Sequence, residues 1–293
     1  MKISIITPSL NQCGFIPEML ASLKKQDFAE WEHIVFDAVS SDGSVKVWRE
    51  WEKGGGKFRN GEMGKSGNQH DVARRVRVFV EPDRGQSDAI NKGMRVATGE
   101  VVGWLNADDV LMPGALAKVA EAFERNPDAV VVYGVGAKTD LSGQIIKKVP
   151  FREFCPKRLS YAFGAVQPAM FFRRDTYWKV GGLDESLHYA MDWDLLLKLA
   201  KVGKVVAIPE HLANIRYYPE TKTNTGGWKR MREIARIARR HNGIFDRNNL
   251  SFWIRDALCK QPLRLPRALF DHLCWNLFKN PPLMVQGWPE EKI

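Results

Sequence analysis

The chain has 293 residues, 44 Lys+Arg against 34 Asp+Glu, and 44% hydrophobic residues. This composition excludes wholesale disorder and predicts two domains, or one large α/β domain with appendages. No apolar run approaches the roughly 18 residues of a spanning helix, and the strand-like run behind Met1-Lys2 is shorter than a secretory core of about 7–15 residues, so a cytoplasmic protein is expected.

The strand-like run over residues 3–7 ends at Pro8, and Pro17 suits the first turn of a helix carrying Met19, Leu20 and Leu23 on one face. Ile34, Val35 and Phe36 form a second strand that ends at Asp37, and Asp42-Gly43 opens a helix through Val47, Trp48 and Trp51. Residues 54–71 are Gly-rich and basic without periodicity, the pattern of a surface excursion. Gly64-Lys65-Ser66 within it imitates a phosphate loop but lacks the required upstream Gly, since position 59 is Arg, and no strand precedes it. A third strand, Val76–Val80, runs into Glu81-Pro82-Asp83, and a helix from about Ser87 to Ala97 follows. Val101–Leu105 is a strand ending at Asn106-Ala107-Asp108-Asp109; Pro113 then starts a helix through Phe123, and Ala129–Tyr133 is a further strand. Strands alternating with helices of this length predict an α/β fold, a mostly parallel sheet flanked by helices.

Asp37, Glu81 with Asp83, and residues 106–109 all fall at the carboxyl ends of predicted strands, the edge along which open α/β sheets bind ligands. Each acid has an ordinary reading by itself: Asp42 as a turn or cap, Asp37 as a strand-end turn, Asp108-Asp109 as a helix cap. Together they form a cluster that repels itself unless a cation lies between, and Mg²⁺ resolves such clusters through one or two carboxylates plus substrate phosphates.

Four ordered motifs carry a family likeness. They are Ile3-Ser4-Ile5-Ile6-Thr7-Pro8-Ser9-Leu10-Asn11-Gln12, the run from Glu81-Pro82-Asp83-Arg84-Gly85-Gln86-Ser87-Asp88 to Gly93, the run from Gly99 to Asp109, and Val180-Gly181-Gly182-Leu183-Asp184-Glu185 followed by Met191-Asp192-Trp193-Asp194. Over residues 2–222 the chain resembles the family 2 glycosyltransferases. That resemblance implies the GT-A fold, with a nucleotide-binding half over about 1–110 and an acceptor half over about 111–224. It implies an inverting transfer from a UDP-, GDP- or dTDP-sugar to a glycan or lipid-linked acceptor in cell-surface polysaccharide assembly. By the same resemblance Asp37 accepts a hydrogen bond from the nucleobase, and Thr7 and Pro8 line its pocket. Asp83 and the turn of Arg84, Gln86 and Ser87 close over the nucleotide. Asn106 and Ala107 border the donor, Asp108 holds a divalent metal (Mn²⁺ or Mg²⁺), and Asp109 supports it. Asp192 is the general base, with Asp194 its rival. Asn106 stands where Asp is common, Ala38 where an acid or Gly is common, and Met191 where Glu is common. The Q-x-x-R-W motif of processive members is absent, which favours addition of a single sugar.

The excess positive charge sits at the end of the chain. Residues 225–293 hold 13 Lys+Arg and 6 Asp+Glu. In 228–241, Met231, Ile234, Ala235 and Ala238 share a helix face, largely opposite Lys229, Arg232, Arg236, Arg239 and Arg240. Further on, Trp and Phe residues from Phe252 to Phe278 interleave with basic ones. Such a helical extension packs on the catalytic body, lies in an anionic headgroup layer as a peripheral membrane contact at the inner face of the cytoplasmic membrane, or forms a dimer face. A sugar-phosphate nucleotidyltransferase is a competing enzyme class, but the chain lacks a Gly-rich basic loop for a triphosphate. A basic protein binding nucleic acid without catalysis is another, and the acidic sheet edge argues against that partner. Oligomeric state is left open.

Overall fold

The computed structural model describes residues 1–54, 75–155 and 165–242. The 64–66 sequence, most of the Gly-rich excursion, Cys259, Cys274 and the aromatic-basic stretch after 242 lie outside the described residues.

Among the described residues, nine strands form one sheet. Its first half is parallel: β1 (Ile3–Ser9) is flanked by β2 (Trp31–Asp37), which pairs with β3 (Val76–Val80), and on the other side by β4 (Val101–Trp104). The helices between them are α1 (Ile16–Lys24), α2 (Ser44–Glu52) and α3 (Gln86–Val96). Chain direction across the sheet reverses at β1, so the switch point lies between β1 and β4, where ligands enter such sheets. The carboxyl ends of these four strands deliver residues 9–12, 37–42, 81–87 and 105–109 to one edge.

The second half is mixed, which the sequence pattern did not reveal. The short β5 (Val110–Leu111) precedes α4 (Ala115–Arg125), and β6 (Ala129–Thr139) pairs with β7 (Ile145–Lys148) and β8 (Met170–Arg173), both antiparallel to it. β8 also joins the parallel half by pairing with β4. After α5 (Arg174–Lys179) and α6 (Met191–Leu199), β9 (Lys204–Arg216) pairs with β6 in parallel and with β5 antiparallel. That last pairing, Val110 opposite Asn214, returns the chain to the acidic edge. A single turn, α7 (Lys222–Thr225), leads into α8 (Gly227–Asn242).

Strand periodicity sorts side chains into two cores. Along β1, Ile3 and Ile5 join Leu20, Trp48, Trp51 and Phe123 on the α1, α2 and α4 face, while Ile6 joins Ile90, Trp104, Phe172 and Leu195 on the other. Ile234, Ile237 and Ala238 of α8 belong to that second core. The helix that the sequence assigned to an extension beyond 224 therefore packs on the α/β body over 227–242. Gly93 allows α3 to lie close on the sheet: a Cβ there would stand 2.5 Å from Cγ2 of Ile6. Among the described residues no helix is long and apolar enough to cross a membrane.

Candidate active site

The base of the site is a set of buried polar contacts beneath β1 and β2. Trp51 donates its indole N–H to Nδ1 of His33 (2.9 Å), which places the ring proton on Nε2, where it bonds the Thr7 hydroxyl (2.8 Å). Burial pushes the His33 pKa down to about 3, so the ring is a neutral spacer. Thr7 is thus engaged inside the fold, and Pro8 is buried beside it, where both were expected to line a nucleotide pocket.

Asp37 is likewise fully buried. Its carboxylate accepts the Ser9 hydroxyl (2.8 Å), the Ser40 hydroxyl (2.8 Å) and the Ser40 N–H (2.7 Å). These bonds fold the 38–42 loop onto the end of β2. That loop is strained, with the β-branched Val39 at φ +61° and Asn11 opposite at φ +53°. Asn11 and Ser40–Ser41 hold each other through Asn11 N–H to Ser40 Oγ and Ser41 N–H to Asn11 Oδ1. Strain kept in place at a sheet edge marks a site where backbone shape is used.

At the end of β4 the acids divide their work. Asp109 is buried, Oδ1 accepting the Arg216 N–H (3.1 Å) and Oδ2 the Asn106 amide (2.9 Å). Both of its carboxylate oxygens are thus engaged within the fold. Asp108 is half-buried and bonded by the Tyr218 hydroxyl (3.0 Å) and the Gln12 side chain. Burial raises the pKa of both; the Asp108 charge adds to the rise at Asp109, and Arg216 opposes it at each. The methyl of Ala107 is buried in the core. Asn106 holds the centre: its Oδ1 accepts from Gln86 (2.7 Å), and its amide also bonds Gln167 (3.1 Å), which is anchored on the Trp104 carbonyl.

The donor set for a cation can be judged from these contacts. Among the described residues no group of three or more His, Cys, Asp or Glu could hold a metal by itself. Mg²⁺ and Mn²⁺ do not require such a cage, because one carboxylate plus diphosphate oxygens suffices. Asp108 has the chemistry that role needs, and a cation held there would draw the rest of its shell from a substrate.

The motif after β3 closes the opposite rim. Asp83 accepts the Gly85 N–H (2.8 Å), Ser87 reaches the Leu187 carbonyl (3.3 Å), and Arg84 pairs with Glu185 (2.5 Å) and Asp88 (3.2 Å). Asn91 of α3 donates to the Leu183 carbonyl and accepts from the Tyr177 hydroxyl. The segment 183–190 is thereby tied to the donor-side motif.

That segment leads into α6, whose second residue is Asp192. The Asp192 carboxylate accepts the Trp193 N–H (2.8 Å), and burial raises its pKa to about 6, with Glu233 adding to the rise and Arg230 opposing it. Asp194 faces elsewhere, into a cluster of Lys198 (2.8 Å), His241 (2.8 Å) and Arg240 (3.5 Å). That charge cluster occupies the Asp194 carboxylate. Lys222 spans the two sides: Nζ bonds Gln86 Oε1 (2.8 Å) and approaches the His188 carbonyl (3.5 Å).

Sequence reading missed Gln12, Gln167, Arg216, Tyr218, Lys222 and Glu233. Gln12 stood within a quoted motif. Arg216 and Tyr218 carry the same strand-end signal as Asp37, but β9 was not recognised as a strand.

The chain matches the model of "Glycosyl transferase family 2" over residues 4–181. It is 30% identical over 220 residues to the O-antigen biosynthesis protein RfbC of Myxococcus xanthus, covering 73% of this chain and 16% of that protein. It is 26% identical over 216 residues to the chondroitin synthase of Pasteurella multocida, covering 73% and 20%. The chain thus spans a fifth or less of the length of these two curated relatives. Against a PGL/p-HBAD biosynthesis glycosyltransferase of Mycobacterium bovis the identity is 26% over 199 residues, covering 67% and 68%. In fold it is similar to S. aureus TarS 1–349 in complex with UDP-GlcNAc (TM-score 0.62, 18% identity, 98% of this chain and 78% of that one). It is also similar to the mannosyltransferase PcManGT of Pyrobaculum calidifontis in complex with GDP-Man and Mn²⁺ (TM-score 0.62, 18% identity, 97% and 82%). With the sheet order, the strand-end residues and this match in agreement, the chain belongs to glycosyl transferase family 2, on a GT-A fold.

Proposed function

We propose that the protein transfers a sugar from a nucleoside-diphosphate donor to an acceptor hydroxyl with inversion, using Asp192 as general base and a divalent cation at Asp108. The hydrogen-bonded run Asp109–Asn106–Gln86–Lys222 carries this reading, because it joins the acidic sheet edge to the segment that precedes Asp192. The donor lies along residues 83–87 and 106–108, over the loop that Asp37 folds. A bound cation would act as a Lewis acid on the diphosphate and neutralise the departing charge. Arg216 holds the Asp108 carbonyl through its Nε (3.2 Å), and the Lys222 ammonium adds a second positive charge near the same edge. The Thr221 hydroxyl is buried with no hydrogen-bond partner among the described residues. A phosphate oxygen would supply the acceptor it lacks, offsetting a cost of about 1–3 kcal/mol.

On the other side Asp192 takes the proton of the attacking hydroxyl. A carboxyl with a pKa near 6 is ionised at neutral pH yet remains a better base than an exposed aspartate. The single displacement needs no covalent nucleophile. RfbC is named for O-antigen biosynthesis and the other relative as a chondroitin synthase, which supports a glycan acceptor; a lipid-linked acceptor at the inner membrane face belongs to the same proposal. The test is a transfer assay over UDP-, GDP- and dTDP-sugars with Mn²⁺ or Mg²⁺, reading product configuration by NMR. Inverted product supports the reading, and a retained configuration or pyrophosphate release overturns it.

A further inference from the structure

Helix α6 starts without a side-chain cap from Ala190, the residue at its cap position. The amides of the segment that enters the helix, up to and including that cap residue, are gathered by Glu233, a buried residue of α8. Its Oε1 accepts the N–H groups of Tyr189 (2.6 Å) and Ala190 (2.7 Å), and its Oε2 that of His188 (2.7 Å). Three successive amides converge on one carboxylate two residues before Asp192. Such charge-assisted bonds are short and strong, and a negative charge suits a helix N-terminus.

Helix α8 is keyed to α6 at a second point. His241 and Arg240 engage Asp194, and Arg240 also reaches Asp184 (2.7 Å). Ile234 and Ile237 lie in the same core as Trp193, Leu195 and Leu196. The two helices are thus locked at both ends of the turn that presents Asp192. This lock lies beyond residue 181, outside the span of the family match.

We infer that Glu233 is a positioning residue for the reaction, holding the 188–190 segment so that the first turn of α6 presents Asp192 and keeping a negative charge beside that carboxylate. The inference rests on the reading of Asp192 as proton acceptor. The charged groups acting on Asp192 are Glu233 and Arg230 of α8, of opposite sign, and Lys222 of the covering turn interacts with Glu233 in turn.

The test compares full-length wild type, Glu233→Gln and Asp192→Asn in the transfer assay across pH. An amide offers one accepting oxygen and turns an NH₂ toward N–H donors, so the three bonds cannot all survive. Glu233→Gln should lose at least tenfold in kcat with donor KM changed less than twofold. Its acid limb in kcat/KM should move to lower pH, because the charge that holds the Asp192 proton is gone. Wild-type kcat with an unmoved limb in Glu233→Gln, while Asp192→Asn is inactive, would overturn the positioning role alone. An active Asp192→Asn would instead overturn the base assignment and this inference with it. If Glu233→Gln does not fold, Glu233→Asp decides: the charge stays but is withdrawn by one methylene, so kcat should fall with the limb in place, and wild-type kcat would refute the role.

Discussion

The Tyr218 hydroxyl donates to the Asp108 carboxylate across 3.0 Å, tying the end of the last strand to the end of the fourth. The bond opposes the burial that raises the Asp108 pKa, while burial and then the Asp108 charge push the Tyr218 hydroxyl up in return. Tyr218→Phe removes a hydrogen bond to a charged group, a loss of about 1.5–3 kcal/mol. The expected outcome is a roughly tenfold or greater rise in the Mn²⁺ concentration for half-maximal activity. A metal titration at saturating donor checks it, and an unchanged midpoint counts against Asp108 as the ligand.

Under the proposed mechanism, Asp192 sets the acid side of the rate profile. With its pKa near 6, kcat/KM should fall below about pH 6 as the base becomes protonated. Asp192→Asn should lower kcat by about 10²–10⁴-fold and flatten that limb. Steady-state rates from pH 5 to 8.5 measure both.

The same carboxyl costs stability. Its folded pKa, about 6, lies above the ordinary aspartate value of about 3.9, so its contribution is fully present below the unfolded value and is lost as pH rises through 6. Asp192→Asn should therefore be more stable than wild type at pH 8, by about 2–3 kcal/mol, with the difference shrinking toward pH 4. Urea denaturation at the two pH values reads this directly. A less stable variant at pH 8 would contradict the buried setting.

Asp194 should behave in the opposite way. It is buried and paired with Lys198 and His241, so its loss strands those partners. Asp194→Asn is expected to destabilise by about 3 kcal/mol or more. Where it stays folded, its acid limb should match wild type. A rate defect like that of Asp192→Asn would reverse the two assignments.

The parallel half was legible because its signals are local. Apolar strand runs end at Pro8, Asp37 and Asn106, and helices follow at the expected spacing. The antiparallel half was not, since β7 exposes both isoleucines and β9 alternates weakly, its pairing with β6 being fixed by tertiary contacts. Strand-end positions identified which acids gather at one edge, but not which way each faces. Asp37 and Asp109 point inward because Ser40 and Arg216 offer N–H donors there, a fact of loop closure and not of pattern. Asp192 and Asp194 are two apart on one helix, and the arrival of His241 and Arg240 from α8 beside Asp194 separates them. Glu233 carried no signal, as its partners are backbone amides more than forty residues earlier.

The central claim, a cation shared between Asp108 and a donor diphosphate, is tested most directly by calorimetric titration of UDP and GDP into wild type and Asp108→Asn, each with Mn²⁺ and with EDTA. Wild type should bind one of the two at least tenfold more tightly with Mn²⁺, and Asp108→Asn should lose that gain. Equal affinity in Mn²⁺ and EDTA, or a gain that survives in Asp108→Asn, would contradict it.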